Sequence, residues 1–456
     1  MRKTLRVIFD PGLLSLNVLV VVLSPVLLVA KAARFFRKQL RREFDFNRWS
    51  CPVWNAPPDD GKLRVVLLGT GLGEMQIVEQ LSSTLQQTHL DVHFIWATRD
   101  LEAAQAARQA NPQQAISFLP FDFVWPTLNF LRHNRPDVVV FVEKFWFPNL
   151  ARGCAAWGAQ CVVVNARSRS HEGWRYRVMR PYHRWILGSF ARMCFQSEED
   201  ARRVAPVLPH SVRSQVVGNL KFEVDPRERV VDSSLEKWLE ARGDLPLLAA
   251  GSTADDEEDE FVFQAFEIVR RSAPCSLLIA PRRIHRVEAI VERAQKRGWT
   301  VSRRSEFQSG EFQHIEYSMS GESAKKASKE ASDVFCLDTV GELAVAYQHA
   351  QAAYIGGTLN SAGHNMAEPL YWGVAVSYGA SRGFFETVKK ACEAAGVGFC
   401  VRTPDELAAH WSEALNDDDL RATWRKRAAQ LLAEQGGALE RNVEQVREII
   451  DELQRK

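Results

Sequence analysis

From Leu63 onward the chain alternates short β-branched runs with amphipathic stretches, and it does so twice. The first series reads RVVLL (64–68), VHFIWA (92–97), ISFLP (116–120), VVVFV (138–142), CVVVN (161–165), MCFQ (193–196) and QVVG (215–218). The second reads LLAAGS (247–252), SLLIAP (276–281), VFCLD (334–338), AAYIGG (352–357), VAVSY (374–378) and GFCV (398–401). Strands that are apolar throughout must be covered on both faces, and helical crossovers keep successive strands parallel. After RVVLL, for instance, Ile77, Val78, Leu81 and Leu85 recur at helical spacing. The pattern predicts an α/β chain with two doubly wound parallel sheets. A length of 456 residues agrees, because single cores stop growing near ~300 residues.

The charged, Pro-containing stretch Glu223–Gly243 reads as the linker, and the polar stretch 306–332 as a surface loop. The expected organisation is an N-terminal anchor over 1–60, a first domain over 61–228, and a second over 229–456 that ends in a closing helix. Gly12–Ala30 is 19 residues without a charge, long enough to cross a hydrocarbon core of ~30 Å. The basic cluster Lys31, Arg34, Arg37, Lys38, Arg41 and Arg42 behind it would stay on the cytoplasmic side and grip anionic lipid. The expected place is therefore the inner membrane, with the globular part cytoplasmic. An interfacial helix and a cleaved signal peptide are the competing readings of this segment. A net charge of only +2 gives no field that calls for nucleic acid, and the eight cysteines form no metal-ligand spacing.

Three strand ends collect chemistry. GTGLGE (69–74) follows the first strand and opens a helix. Its glycines, Gly73 among them, leave room for a ligand near Glu74, although a plain Gly-rich turn reads the same way. The segment from Gly356, Gly357 and Thr358 through NSAGHNMAEP (360–369) supplies Gly363, His364, Asn365 and Glu368, a set fit for phosphate and ribose or for a capped helix start. APRRIHR (280–286) packs Arg282, Arg283, His285 and Arg286 at a strand end, where phosphate or carboxylate would bind. Ser252 and Thr253 in GSTADDEE, Gly341 and Glu342 in DTVGEL, and Lys221 in GNLKFE stand at comparable places.

Taken in order, FLPFD (118–122), Glu143 ahead of FPNL, NARSRS (165–170), GNLKFE (218–223), APRRIHR, DTVGEL and GGT…GHNMAEP make the chain resemble the Kdo (3-deoxy-D-manno-octulosonic acid) transferases over roughly residues 63–440. That resemblance implies a GT-B fold, two Rossmann-like domains facing across a cleft, and an inverting glycosyl transfer. It implies CMP-Kdo as donor, a lipid A precursor as acceptor, and neither a catalytic metal nor a cofactor. Glu74 matches the family's general base. Arg282, Arg283, His285, Gly356, Gly357, Thr358, Gly363, His364, Asn365 and Glu368 match the donor side. Gly73, Glu143, Arg167, Lys221, Ser252, Thr253, Gly341 and Glu342 match positions lining the substrate.

The chain also departs from the family pattern. Leu68, Gly69, Thr70 and Gly71 stand where the family has His-Ala-Ala-Ser, and Ala254 replaces a His. ATRDL (97–101) replaces a Thr-x-Thr-Gly segment, and Lys144 and Phe145 follow Glu143 in place of Thr-Glu. The usual His and Asn before the late Phe are missing around Ser381 and Gly383, while Phe384, Phe385 and Glu386 remain. Two other functions fit part of this reading: a GT-B lipid glycosyltransferase that uses a UDP-sugar, and a silent paralogue held at the membrane.

Overall fold

The structure, a computed structural model, describes residues 47–168, 176, 178–223, 225–228, 233–308, 332–360, 365–381 and 385–455. The expected span over 12–30, its basic flank, Gly363, His364 and most of 306–332 lie outside the described residues. Among the described residues no helix is long and apolar enough to cross a membrane. The chain forms two compact units, 1–223 with 437–456, and 224–436.

In the first unit the described strands are β1 (Val53–Trp54), β2 (Leu63–Gly69), β3 (Val92–Thr98), β4 (Ala115–Phe118), β5 (Val138–Val142), β6 (Gln160–Ala166), β7 (Phe190–Phe195) and β8 (Arg213–Val216). They lie in the order β1-β4-β3-β2-β5-β6-β7-β8, parallel except where β1 meets β4. Period-2 alternation divides the side chains into two cores. Val65, Leu67, Val138, Val140, Val162 and Val164 pack with Ile77, Val78, Leu81 and Leu85, while Val66, Leu68, Val139, Phe141 and Val163 pack with Leu128, Leu131 and Leu150. Strand order runs outward from β2 to β4 and then resumes at β5 on the other side. The switch point is therefore between the carboxyl ends of β2 and β5, where open α/β sheets bind ligands.

The last helix, Ala438–Gln454, belongs to this first unit and not to the second, as the sequence reading had it. Its stripe of Val443, Val446 and Ile450 joins the core beside Leu81 and Leu85. Polar bonds fix its register: Asn165 N donates to Asn442 Oδ1 (3.1 Å), and Arg192 donates to Gln445 Oε1 (2.9 Å) and pairs with Glu452 (3.3 Å). The chain crosses over through Gly437, whose φ of 77° is left-handed.

The second unit holds β9 (Leu247–Thr253), β10 (Ser276–Pro281), β11 (Val301–Arg303), β12 (Val334–Cys336), β13 (Ala350–Ile355), β14 (Val376–Gly379) and β15 (Gly398–Val401), all parallel, in the order β11-β12-β10-β9-β13-β14-β15. Its switch point lies between β9 and β13. The short edge strands β1 and β11 had no counterpart in the sequence reading, since two or three residues carry no period.

Candidate active site

At the first switch point the helix Leu72–Thr88 starts directly after β2, with extended Gly71 as its N-cap and Glu74 in the first turn. The turn is tight. A Cβ on Gly69 would stand 2.9 Å from Met75 Sδ and 3.1 Å from the Glu74 carbonyl carbon, whereas at Gly73 it would meet nothing within 4 Å. Glu74 Oε1 accepts from Thr70 Oγ1 (3.1 Å) and from Lys144 Nζ (2.9 Å), and Lys144 Nζ also reaches Thr70 Oγ1 (2.6 Å). Arg99 Nε closes the turn from outside on the Thr70 carbonyl (3.1 Å). Burial pushes the Glu74 carboxyl up, but the ammoniums of Lys144 and Lys221 outweigh it and hold the group down at about 2.

Lys144 comes from the end of β5, next to Glu143. Glu143 sits at φ 62°, so the chain turns sharply and sends the two neighbouring side chains to different partners. The buried Glu143 carboxylate takes Lys221 Nζ (2.9 Å), Arg167 Nε (3.2 Å) and Asn165 Nδ2 (3.3 Å). Asn165, also left-handed at φ 52°, accepts from Leu220 N (3.0 Å) and so ties NARSRS to GNLKFE. Gly73, Glu74, Glu143, Arg167 and Lys221, separate in the sequence, thus gather at one switch point. Two further motifs prove structural. Asp122 of FLPFD accepts from Leu150 N (2.9 Å), and its carbonyl accepts from Asn149 Nδ2 (2.7 Å), which seats the helix Pro148–Trp157.

At the second switch point a glutamate absent from the sequence-based set dominates. Buried Glu258, in the first turn of the helix Asp256–Arg270, accepts from Ala254 N (2.7 Å), Gly357 N (2.6 Å), Thr358 N (3.1 Å) and the Tyr354 hydroxyl (2.9 Å). It fastens the ends of β9 and β13 together. A Cβ on Gly356 would stand 2.4 Å from the Ser252 carbonyl oxygen, so only glycine fits there. Ser252 is itself left-handed (φ 59°).

Around this staple the expected donor residues divide. Arg282, Arg283 and His285 are exposed at the end of β10. Arg286 is occupied by Asp256, Asp259 and the Thr253 carbonyl, and so acts as a strut. Thr253 and Thr358 are fully buried. Thr358 Oγ1 donates to the Ile355 carbonyl (2.6 Å) and accepts from Gly379 N (2.7 Å), so it latches the sheet and does not present itself to a ligand. Glu342 likewise is no substrate group: buried Arg304 pairs with it at 2.6 and 3.0 Å, and Thr339 donates to it. Gly341 beside it is left-handed (φ 99°), and a Cβ there would meet nothing within 4 Å. Asn365 Oδ1 accepts from Ala367 N (3.1 Å), and half-buried Glu368 follows in the short helix Ala367–Tyr371.

Comparison with known proteins finds similarity across both units. Residues 38–224 match the family described as Glycos_transf_N, 3-Deoxy-D-manno-octulosonic-acid transferase (kdotransferase). The 3-deoxy-D-manno-octulosonic acid transferase of Haemophilus influenzae is 23% identical over 91% of this chain and 92% of its own length. That of Bordetella pertussis is 27% identical over 82% and 84%. The chain is thus similar to Kdo transferases over most of its length.

Solved structures agree on the fold. A glycosyltransferase from Rickettsia africae (TM-score 0.54, 11% identity, 86% of this chain and 98% of that one) is similar to this chain. So is the UDP-GlcNAc 2-epimerase of Neisseria meningitidis (TM-score 0.57, 12% identity, 85% and 100%). The fold is GT-B-like. Within the Kdo transferase pattern, the departures at Thr70 and Lys144 turn out to touch each other and Glu74. Sequence reading noted both residues as substitutions but gave no sign that they meet.

Proposed function

We propose that this chain transfers Kdo from CMP-Kdo to a hydroxyl of a lipid A precursor by a single inverting displacement. The observation that carries the reading is Glu74. In a chain similar over 91% of its length to a Kdo transferase, the one glutamate of the Gly-rich turn stands ionised at a switch point with unfilled space at Gly73. In this reading the Glu74 carboxylate takes the hydroxyl proton as the acceptor oxygen attacks the anomeric carbon of Kdo. The bond from that carbon to the phosphate oxygen breaks, and its electron pair leaves with CMP. Exposed Arg282, Arg283 and His285 in the second unit are the cations suited to the phosphate and to the Kdo carboxylate. No metal or cofactor takes part in this scheme, because those cations meet the charge. The apolar stretch 12–30 and its basic flank support work at the inner membrane, with the catalytic units cytoplasmic. Incubating the protein with CMP-Kdo and a lipid A precursor should give a product heavier by one or more Kdo residues. Absence of any mass gain while CMP-Kdo binds would reject the reading.

A further inference from the structure

Lys144 is the cation at bonding distance from the candidate base, and Glu143 shows why. Three cationic side chains and two carboxylates collect near the β2 and β5 ends. Glu143 takes two of the cations, Lys221 (2.9 Å) and Arg167 (3.2 Å), which leaves Lys144 to Glu74 (2.9 Å). Thr70 and Lys144 both address the same oxygen, Oε1, and also each other, forming a closed triangle of 3.1, 2.9 and 2.6 Å. Among the described residues no other residue donates to Oε2. That oxygen looks toward Gly71, 3.2 Å from where a Cβ would stand, and a Cβ on neighbouring Gly73 would meet nothing within 4 Å.

We infer that Lys144 is a positioning residue for Glu74: with Thr70 it fixes Oε1, so that Oε2 alone is presented to the acceptor hydroxyl. This rests on the transferase reading above. A free carboxylate turns about its last torsion and offers either oxygen, since such sp³–sp² torsions are broad. Two donors on one oxygen remove that freedom and fix the direction from which a proton can be taken. The charged groups facing Glu74 are Lys144 at contact and Lys221 beyond it, with Glu143 and Arg167 behind Lys221 and Arg99 held on the Thr70 carbonyl. The same ammonium keeps the carboxylate ionised: burial alone would raise it, and Lys144 first, then Lys221, bring it down to about 2. After transfer the pair favours loss of the captured proton from Glu74 to water, which resets the base.

The test compares wild type, Lys144→Met and Lys144→Arg, each checked for a native circular dichroism spectrum. Carbon-13 NMR of the Glu74 carboxyl, assigned with Glu74→Gln, should be flat from pH 4 to 7 in wild type. In Lys144→Met it should titrate with a midpoint moved up toward the ordinary value of 4.5. The acid limb of kcat/KM should move up with it and turnover should fall about tenfold. Lys144→Arg should restore the flat titration, and affinity for CMP should be unchanged in both variants. An unchanged Glu74 titration in Lys144→Met would overturn the inference, as would an acid limb that stays put while turnover falls uniformly. If Lys144→Met does not fold, a Lys144→Arg protein whose Glu74 titrates between pH 4 and 7 would overturn it equally. The NMR arm needs no turnover, so failure of Kdo transfer by the wild type would sink the functional reading and leave this measurement standing.

Discussion

Glu74 and Glu258 occupy the same place in their two units. Each follows the central strand of its sheet by five residues, since β2 ends at Gly69 and β9 at Thr253, and each is the third residue of the next helix. Their surroundings differ. Glu258 is buried with both oxygens filled, three of its four donors being backbone N–H groups, and it holds two strand ends together. Glu74 has Oε1 filled by two side chains, and its helix N-cap offers no side-chain bond. One position, stabilised in both cases by the helix N-terminus, is thus a staple where its acceptors are all used and, in the function proposed above, a base where one is kept open.

The largest effect expected from this contrast is on turnover. Glu74→Gln should lower transfer by roughly 10²–10⁴ with the melting temperature hardly changed. Glu258→Gln should do the reverse. Its amide cannot accept at every site the carboxylate fills, so the second unit should lose about 3 kcal/mol in denaturant unfolding, and donor affinity should drop only as a consequence. If both substitutions reduce stability alike, the contrast between staple and base is broken.

The next effect belongs to the second unit alone. His410 is buried against Ser377 (2.6 Å) and Phe399, and burial holds its imidazole down at about 4. A base depressed when folded contributes stability that is whole above the unfolded value near 6.5 and drains away as pH falls toward 4. The loss should reach about 3 kcal/mol. In the first unit the Glu74 ion pair is weakened only lower, between its ordinary 4.5 and about 2. Acid unfolding should therefore begin in the second unit, and His410→Gln should flatten its curve between pH 6.5 and 4. Smaller still is the loss expected from Arg282→Ala. One charge-assisted bond should go from CMP binding, about 2 kcal/mol or about thirtyfold in calorimetric Kd, with Glu74→Gln leaving that affinity intact.

How far the sequence could be read follows from the same residues. The parallel sheets were legible because runs such as Val138–Val142 are apolar at every position, which only a strand covered on both faces requires. Glu74 was legible because a Gly-rich turn between strand and helix isolates it. Glu258 was not, since the run DDEEDE gives no sign which acid turns inward. Thr358 and Glu342 carry the right chemistry for ligand binding, and only their burial against Gly379 and Arg304 assigns them to the scaffold. The membership of Ala438–Gln454 in the first unit was equally hidden. An apolar stripe specifies that a helix packs, and here it was polar matches at Asn442 and Arg192 that selected the sheet.

The central claim is a single displacement in which Glu74 draws the proton from the acceptor. Its most direct test is the anomeric configuration of the transferred Kdo, read by NMR on the product of CMP-Kdo and a lipid A precursor. One displacement assisted by one base predicts inversion relative to CMP-Kdo in every product molecule. Retention of configuration would contradict it, because it requires two displacements and a covalent intermediate that this account does not contain.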